Sequence, residues 1–139
     1  MSHEVDLRVN RHTLDTDLEN IPNEILVWTR QAIADLETSQ RAENALKHEE
    51  ARLSIDIRTN PINYGMPKVT EDTVKALIQV QQSYIDAQNA CLAAKSELLA
   101  SRAVVDALEV KRSSLKYLAE LSIAGYLGST TVQPRGVKS

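Results

Sequence analysis

The sequence contains no phenylalanine, and its aromatic side chains amount to one tryptophan and four tyrosines in 139 residues. A core built on large rings is therefore excluded, and packing falls to Leu, Ile, Val and Ala. Four glycines and four prolines leave too little turn material for the many reversals of an all-β domain. Cys91 stands alone, which excludes an internal disulfide and a cysteine-rich metal site and fits a reducing compartment. There is no apolar run long enough to span a bilayer, and the opening "MSHEVDLRVNRH" lacks the apolar segment of a secretory signal. A soluble, cytoplasmic protein of one domain is expected, with no membrane contact. The formal net charge of −3 excludes a wholesale basic coat for nucleic acid but leaves room for a local patch.

What is present is helical periodicity. Residues 1–21, with Glu4, Asp6, Asp15, Asp17 and Glu19, show no sustained apolar period and read as an acidic N-terminal arm. "NIPNEIL" then predicts a helix start, with Pro22 in the first turn, Asn20 or Asn23 as cap and Glu24 at the positive end of the dipole. From there Ile25, Trp28, Ala32, Leu36, Leu46, Leu53 and Ile57 recur at sums of three and four, which extends the helix to about residue 59. "SIDIR" alternates like a strand, but with no partner strand it reads as the last turns of that helix.

The second pattern is more regular. Steps of three and four from Leu77 reach Val80, Tyr84, Ala87, Cys91, Ala94, Leu98, Ser101, Val105, Leu108, Arg112, Leu115, Ala119, Ser122 and Tyr126, a heptad seam of the coiled-coil kind. Thr70 as cap, with Glu71 and Asp72 behind it, predicts one helix over about 70–127, ended by the glycines of "GYLGS". Arg112 is a polar exception that either sets register or reaches to solvent.

Helices over 22–59 and 70–127 would be about 50 and 85 Å long. The expected fold is thus all-α: a long helical hairpin joined by a loop at 60–69, with residues 106–127 overhanging its shorter arm. Apolar residues on several sides of that overhang predict a homo-oligomeric ring or bundle held by Leu108, Leu115, Leu118, Leu121 and Tyr126. Residues 128–139 read as a disordered basic tail.

Chemistry of the catalytic kind has no foothold. His3, His12 and His48 are isolated, and His48-Glu49-Glu50 lacks the second histidine that a helical zinc site requires. Cys91 sits on the seam among small residues, the place of a buried hydrophobe rather than a nucleophile. No phosphate-binding glycine loop or nucleophile elbow occurs. No enzyme activity, cofactor or metal is expected.

The charge sign changes near the turn. Residues 1–44 hold nine acids against four arginines, whereas Lys47, Arg52, Arg58 and Lys68 outnumber Glu49, Glu50 and Asp56 over 45–69. "RTNPINYGMPK" brings together cations for phosphates, the amides of Asn60 and Asn63, and Tyr64 for stacking on a base, which are the parts of a single-strand site. A second reading of the same segment is a solvated helix connection and nothing more.

The succession of an "EARLSIDIR" helix end, a breaker-rich loop containing glycine, a "TEDTVKALI" restart and a closing "ELLASRAVVDALEVKRSSLKYLAELSIAG" helix resembles the phage recombination mediators of the UvsY type. The resemblance covers about residues 24–127. It implies a small all-helical protein that assembles into a ring, binds single-stranded DNA, and loads a RecA-like recombinase in place of single-strand-binding protein, without catalysis, in the host cell cytoplasm. By the same resemblance, DNA contact falls to Arg52, Arg58 and Lys68, and assembly to the C-terminal helix. This loop carries fewer cations than the family leads one to expect, and the arm before Pro22 has no counterpart there. The rival expectation is a coiled-coil structural or adaptor protein of a virion or host interaction, with no nucleic-acid role.

Overall fold

The computed structural model describes residues 4–125. Among them the regular structure is helical throughout: a 3-10 turn at Arg11–Thr13, α1 at Leu14–Thr59, a 3-10 turn at Pro61–Tyr64, α2 at Glu71–Gln79 and α3 at Gln82–Ile123. Two compact units divide the chain. One is Ala32–Leu99; the other joins the residues up to Gln31 with those from Ala100 onward.

In the Ala32–Leu99 unit the chain reversal follows from local chemistry. Asn60 precedes Pro61, whose ring disfavours helical backbone at the preceding residue, and Asn60 leaves the helix at φ −128°. Gly65 then adopts φ 76°, a left-handed conformation that suits a residue without Cβ, and its N–H donates to the Ile62 carbonyl at 3.0 Å. Thr70 caps α2 as its sequence position predicts, trading hydrogen bonds with Thr73. The reversal brings Val74 and Ile78 of α2 against Leu53 and Ile57 of α1, with Tyr64, Val69, Leu77 and Tyr84 packed around them. Further along α3, Cys91, Ala94 and Leu98 are buried. Cys91 occupies the place of a small hydrophobe that the sequence assigns it.

The expected single helix over 70–127 is corrected to two. Gln81 donates its backbone N–H to Ile78 at 3.1 Å, one residue short of the α-helical partner. The Leu77 carbonyl so abandoned accepts from the Gln81 side-chain amide at 2.9 Å. The residue thus supplies its own replacement bond, and the break is satisfied rather than strained.

In the other unit, the start of the first helix moves from Pro22 to Leu14. Asn10 accepts from the His12 N–H at 2.8 Å and sets the preceding turn, while Asp15 and Asp17 fall in the first turn of α1. There their charge favours the helix dipole, so acids that read as an arm are a helix start. Pro22 lies inside α1 and removes one backbone bond, at a cost of about 3 kcal/mol. Burial of Ile21 and Trp28 on either side, each contributing about 1.5–3 kcal/mol, offsets that cost.

The expected overhang is also corrected. Ile21 and Trp28 pack against Val104, Leu108 and Leu115 of α3, flanked by Val5, Leu14, Leu18, Ile25 and Val105. The helix that begins eight residues early, together with residue 5 before it, covers Leu108 and Leu115 on the inner face of that stretch, while Val110, Tyr117 and Ile123 stay exposed. The seam residue is Lys111, buried, whereas Arg112 reaches solvent. Lys111 Nζ donates to the Asp6 carbonyl at 2.7 Å and ties the non-helical segment before Asn10 to α3. Replacing Lys111 with methionine keeps the apolar stem and removes the tie. Amide exchange at residues 5–9 is expected to accelerate while that of α3 stays slow; unchanged exchange would show that Val5 alone holds the segment.

α3 ends at Ile123, with Gly125 at φ 82° behind it. Tyr126 and the expected tail at 128–139 lie outside the described residues.

Candidate nucleic-acid interface

The four residues singled out for DNA contact all belong to the Ala32–Leu99 unit, at the α1–α2 turn, and they divide between two flanks. On α1, residues 52 and 56 are one turn apart, while residue 58 lies about 120° round the helix from residue 52. Arg52 therefore shares a flank with Asp56 and Tyr64. Arg58 faces α2 instead.

Each flank is closed by a carboxylate. Glu49 accepts from Arg52 Nη2 at 2.5 Å and from Nε at 3.0 Å, a two-pronged pair one turn back on α1. These bonds from Arg52, followed by one from Ser83 of α3, hold the Glu49 carboxyl at about 2, well below its ordinary range. Arg58 Nη2 donates to Glu71 Oε1 at 2.6 Å, and its Nε to Ser54 Oγ at 3.2 Å. That pair spans the turn from the end of α1 to the first residue of α2.

Tyr64 is not the open ring that a stacking platform requires. It is half-buried against the Leu53–Ile57–Val74–Ile78 cluster, and its hydroxyl donates to Asp56. That bond raises the tyrosine's pKa and, with the Asn60 amide and nearby Arg52, lowers that of Asp56. Lys68 is exposed and has no ion pair among the described residues. Beside it on the turn, Ile62 is 80% exposed, a large apolar side chain given no role by sequence patterning.

Sequence reasoning thus found the cations and missed the acids that hold them. The i, i+3 spacing of Glu49 and Arg52 was a usable signal. Glu71 gave none, since it reaches Arg58 only after the chain reverses. The residues expected to hold an oligomer are also dispersed: Leu108 and Leu115 are sealed in the core of their own unit, and Leu118 and Leu121 are half-buried.

No family model, curated protein or solved structure matches the chain. Among the described residues, no three His, Cys, Asp or Glu side chains gather as a metal ion would require, and no helix is long and apolar enough to cross a membrane.

Proposed function

We propose that this protein binds single-stranded DNA as a homo-oligomer and acts as a recombination mediator, helping to load a RecA-like recombinase in place of single-strand-binding protein. The observation that carries this is the α1–α2 turn: Lys68 is open there, Arg58 and Glu71 pair in solvent, and the exposed Arg52 holds Glu49, whose side chain is 19% exposed. A pair in solvent contributes little, so the phosphate of a strand already held at the turn, which suits the same guanidinium fork, can displace its carboxylate, more readily at Arg58 than at the two-pronged Arg52–Glu49 pair. One such turn binds weakly, and several copies around an oligomer bind together. The order of motifs resembling the UvsY type points the same way.

Assembly falls to a different face of α3 from the one first expected. Val110 and Tyr117 are exposed, and with Leu121 they fall within an arc of about 40°. That stripe takes over from the sealed Leu108 and Leu115. The alternative, a structural or adaptor protein without a nucleic-acid role, draws support from the acids at 49, 56 and 71, which neutralise the turn.

Light scattering for mass, followed by fluorescence anisotropy of a labelled single strand over a range of salt, tests the proposal. Binding should weaken with salt, with a log–log slope of about −0.7 per phosphate contacted. Arg58→Ala combined with Lys68→Ala should lower affinity, flatten that slope and leave the mass unchanged. A monomer that ignores DNA at low salt overturns the proposed function in favour of the adaptor role.

A further inference from the structure

Two arginines at one turn, on different flanks of α1, each hold a carboxylate from a different place in the chain. Glu49 comes from within α1, and its carboxylate takes both prongs of Arg52 while also engaged by Ser83 of α3. Glu71 comes from the first residue of α2, placed by the Thr70 cap, and takes Arg58 Nη2. The two-pronged carboxylate geometry is the one a phosphate presents to the same side chain. Bonds to Arg52 and Ser83 hold the Glu49 carboxyl well below its ordinary range, so the pair with Arg52 is fully ionised at neutral pH.

We infer that Glu49 and Glu71 gate the turn, occupying Arg52 and Arg58 as built-in substitutes for phosphate, so that a strand gains these arginines only by displacing the carboxylates. This rests on the turn being a single-strand contact. A tethered carboxylate acts at high effective concentration, so an isolated phosphate or mononucleotide displaces it poorly. A strand already held at Lys68 delivers its next phosphates intramolecularly and competes on equal terms. The gate therefore selects polymer over nucleotide. It also keeps the turn neutral toward smaller anions.

The gate is tested by Glu49→Gln and Glu71→Gln in the full chain, singly and together, with oligothymidylate anisotropy and thermal melting measured on each. Removing a charge anywhere strengthens DNA binding somewhat, so Glu50→Gln and Asp72→Asn serve as controls: both acids are exposed neighbours of the gating residues, without an arginine in ion-pair contact among the described residues. Affinity is expected to rise about two- to fivefold for Glu71→Gln, the weight of an exposed pair, at least as much for Glu49→Gln, whose carboxylate holds both prongs of Arg52, and less in the controls. Thymidine monophosphate should compete better against the double variant than against the wild type. Equal gains in the controls would reduce the effect to bulk charge and overturn the gate. Unchanged affinity with a lowered melting temperature would make the pairs structural staples, and would overturn it too. If neither wild type nor variants bind the strand, the single-strand function itself falls, and the gate with it.

Discussion

Truncation of Leu108 to alanine is expected to cost about 2–5 kcal/mol of stability, by denaturant unfolding. Leu108 is 0% exposed, enclosed by Ile21, Trp28, Val104 and Leu115, and the loss of its branched end leaves a cavity that two helices cannot close by collapse. Val110→Ala, two residues on and 66% exposed in the protomer, provides the contrast: its change in stability should fall within about 0.5 kcal/mol at low protein concentration, where the assembly stripe is open, and grow as concentration rises. The pair also separates folding from assembly. A core role for Leu108 makes the loss independent of protein concentration, whereas a residue at a subunit contact gives a loss that grows as concentration rises. Concentration dependence at Leu108, or equal costs at the two positions, would return it to the assembly face that the heptad pattern suggested.

Ile57→Ala carries the second large effect, again about 2–5 kcal/mol. Its side chain is 0% exposed and packs with Leu53, Val74 and Ile78, so it is the α1 contribution that keeps α2 docked. α2 spans only Glu71–Gln79, too short to persist in water without packing. Amide exchange in α2 should accelerate along with the loss of global stability. Ile55, 67% exposed two residues before, predicts the opposite: Ile55→Ala should leave both stability and exchange nearly unchanged. The comparison also disposes of "SIDIR" as a strand. In a strand residues 55 and 57 share a face and would be buried alike, whereas in α1 they lie about 160° apart.

The two variants bear on function as well as on folding. Ile57 supports the turn that carries Arg58, Tyr64 and Lys68, so its truncation should weaken strand binding by loosening the turn, without removing any contact group. Leu108 belongs to the other unit, away from the turn in the chain, and its truncation should leave the affinity of the remaining folded protein unaltered.

Much of this is legible in the sequence. Thr70 stands before Glu71 and Asp72, and the structure places it as the cap of α2. Pro61 and Gly65 mark a reversal, and each acts there through its own backbone restriction or freedom. The spacing from Cys91 to Leu98 predicts a buried line, and Cys91, Ala94 and Leu98 are buried. These are local matters, settled by φ preferences, caps and 3.6-residue periodicity within a few positions of chain.

The misread features share a different character. Acids at 15 and 17 serve equally as a solvated arm or a helix start, and it took the burial of Ile21 and Trp28 beyond them to decide. Arg112 and Lys111 are adjacent cations near one seam; which of them turned inward depended on the Asp6 carbonyl, distant in sequence. The break at Gln81 is invisible to a heptad count because both halves continue the same apolar pattern. Gln81 closes α2 with a side-chain bond to the Leu77 carbonyl, and its own carbonyl accepts from the Ile85 N–H at 3.0 Å as α3 begins.

By itself, then, the sequence determined an all-helical chain, a reversal between residues 60 and 69, and the cations that border it, because helix caps, proline and periodicity act over short range. Only the tertiary structure decided that Leu108 and Leu115 close a core within the chain, that Lys111 is the buried cation, and that Glu71 holds Arg58. Each of those outcomes depends on which side chains meet after the chain folds back. A carboxylate thirteen residues from its arginine becomes a neighbour only when Pro61 and Gly65 have turned the backbone and Val74 and Ile78 have buried themselves against α1.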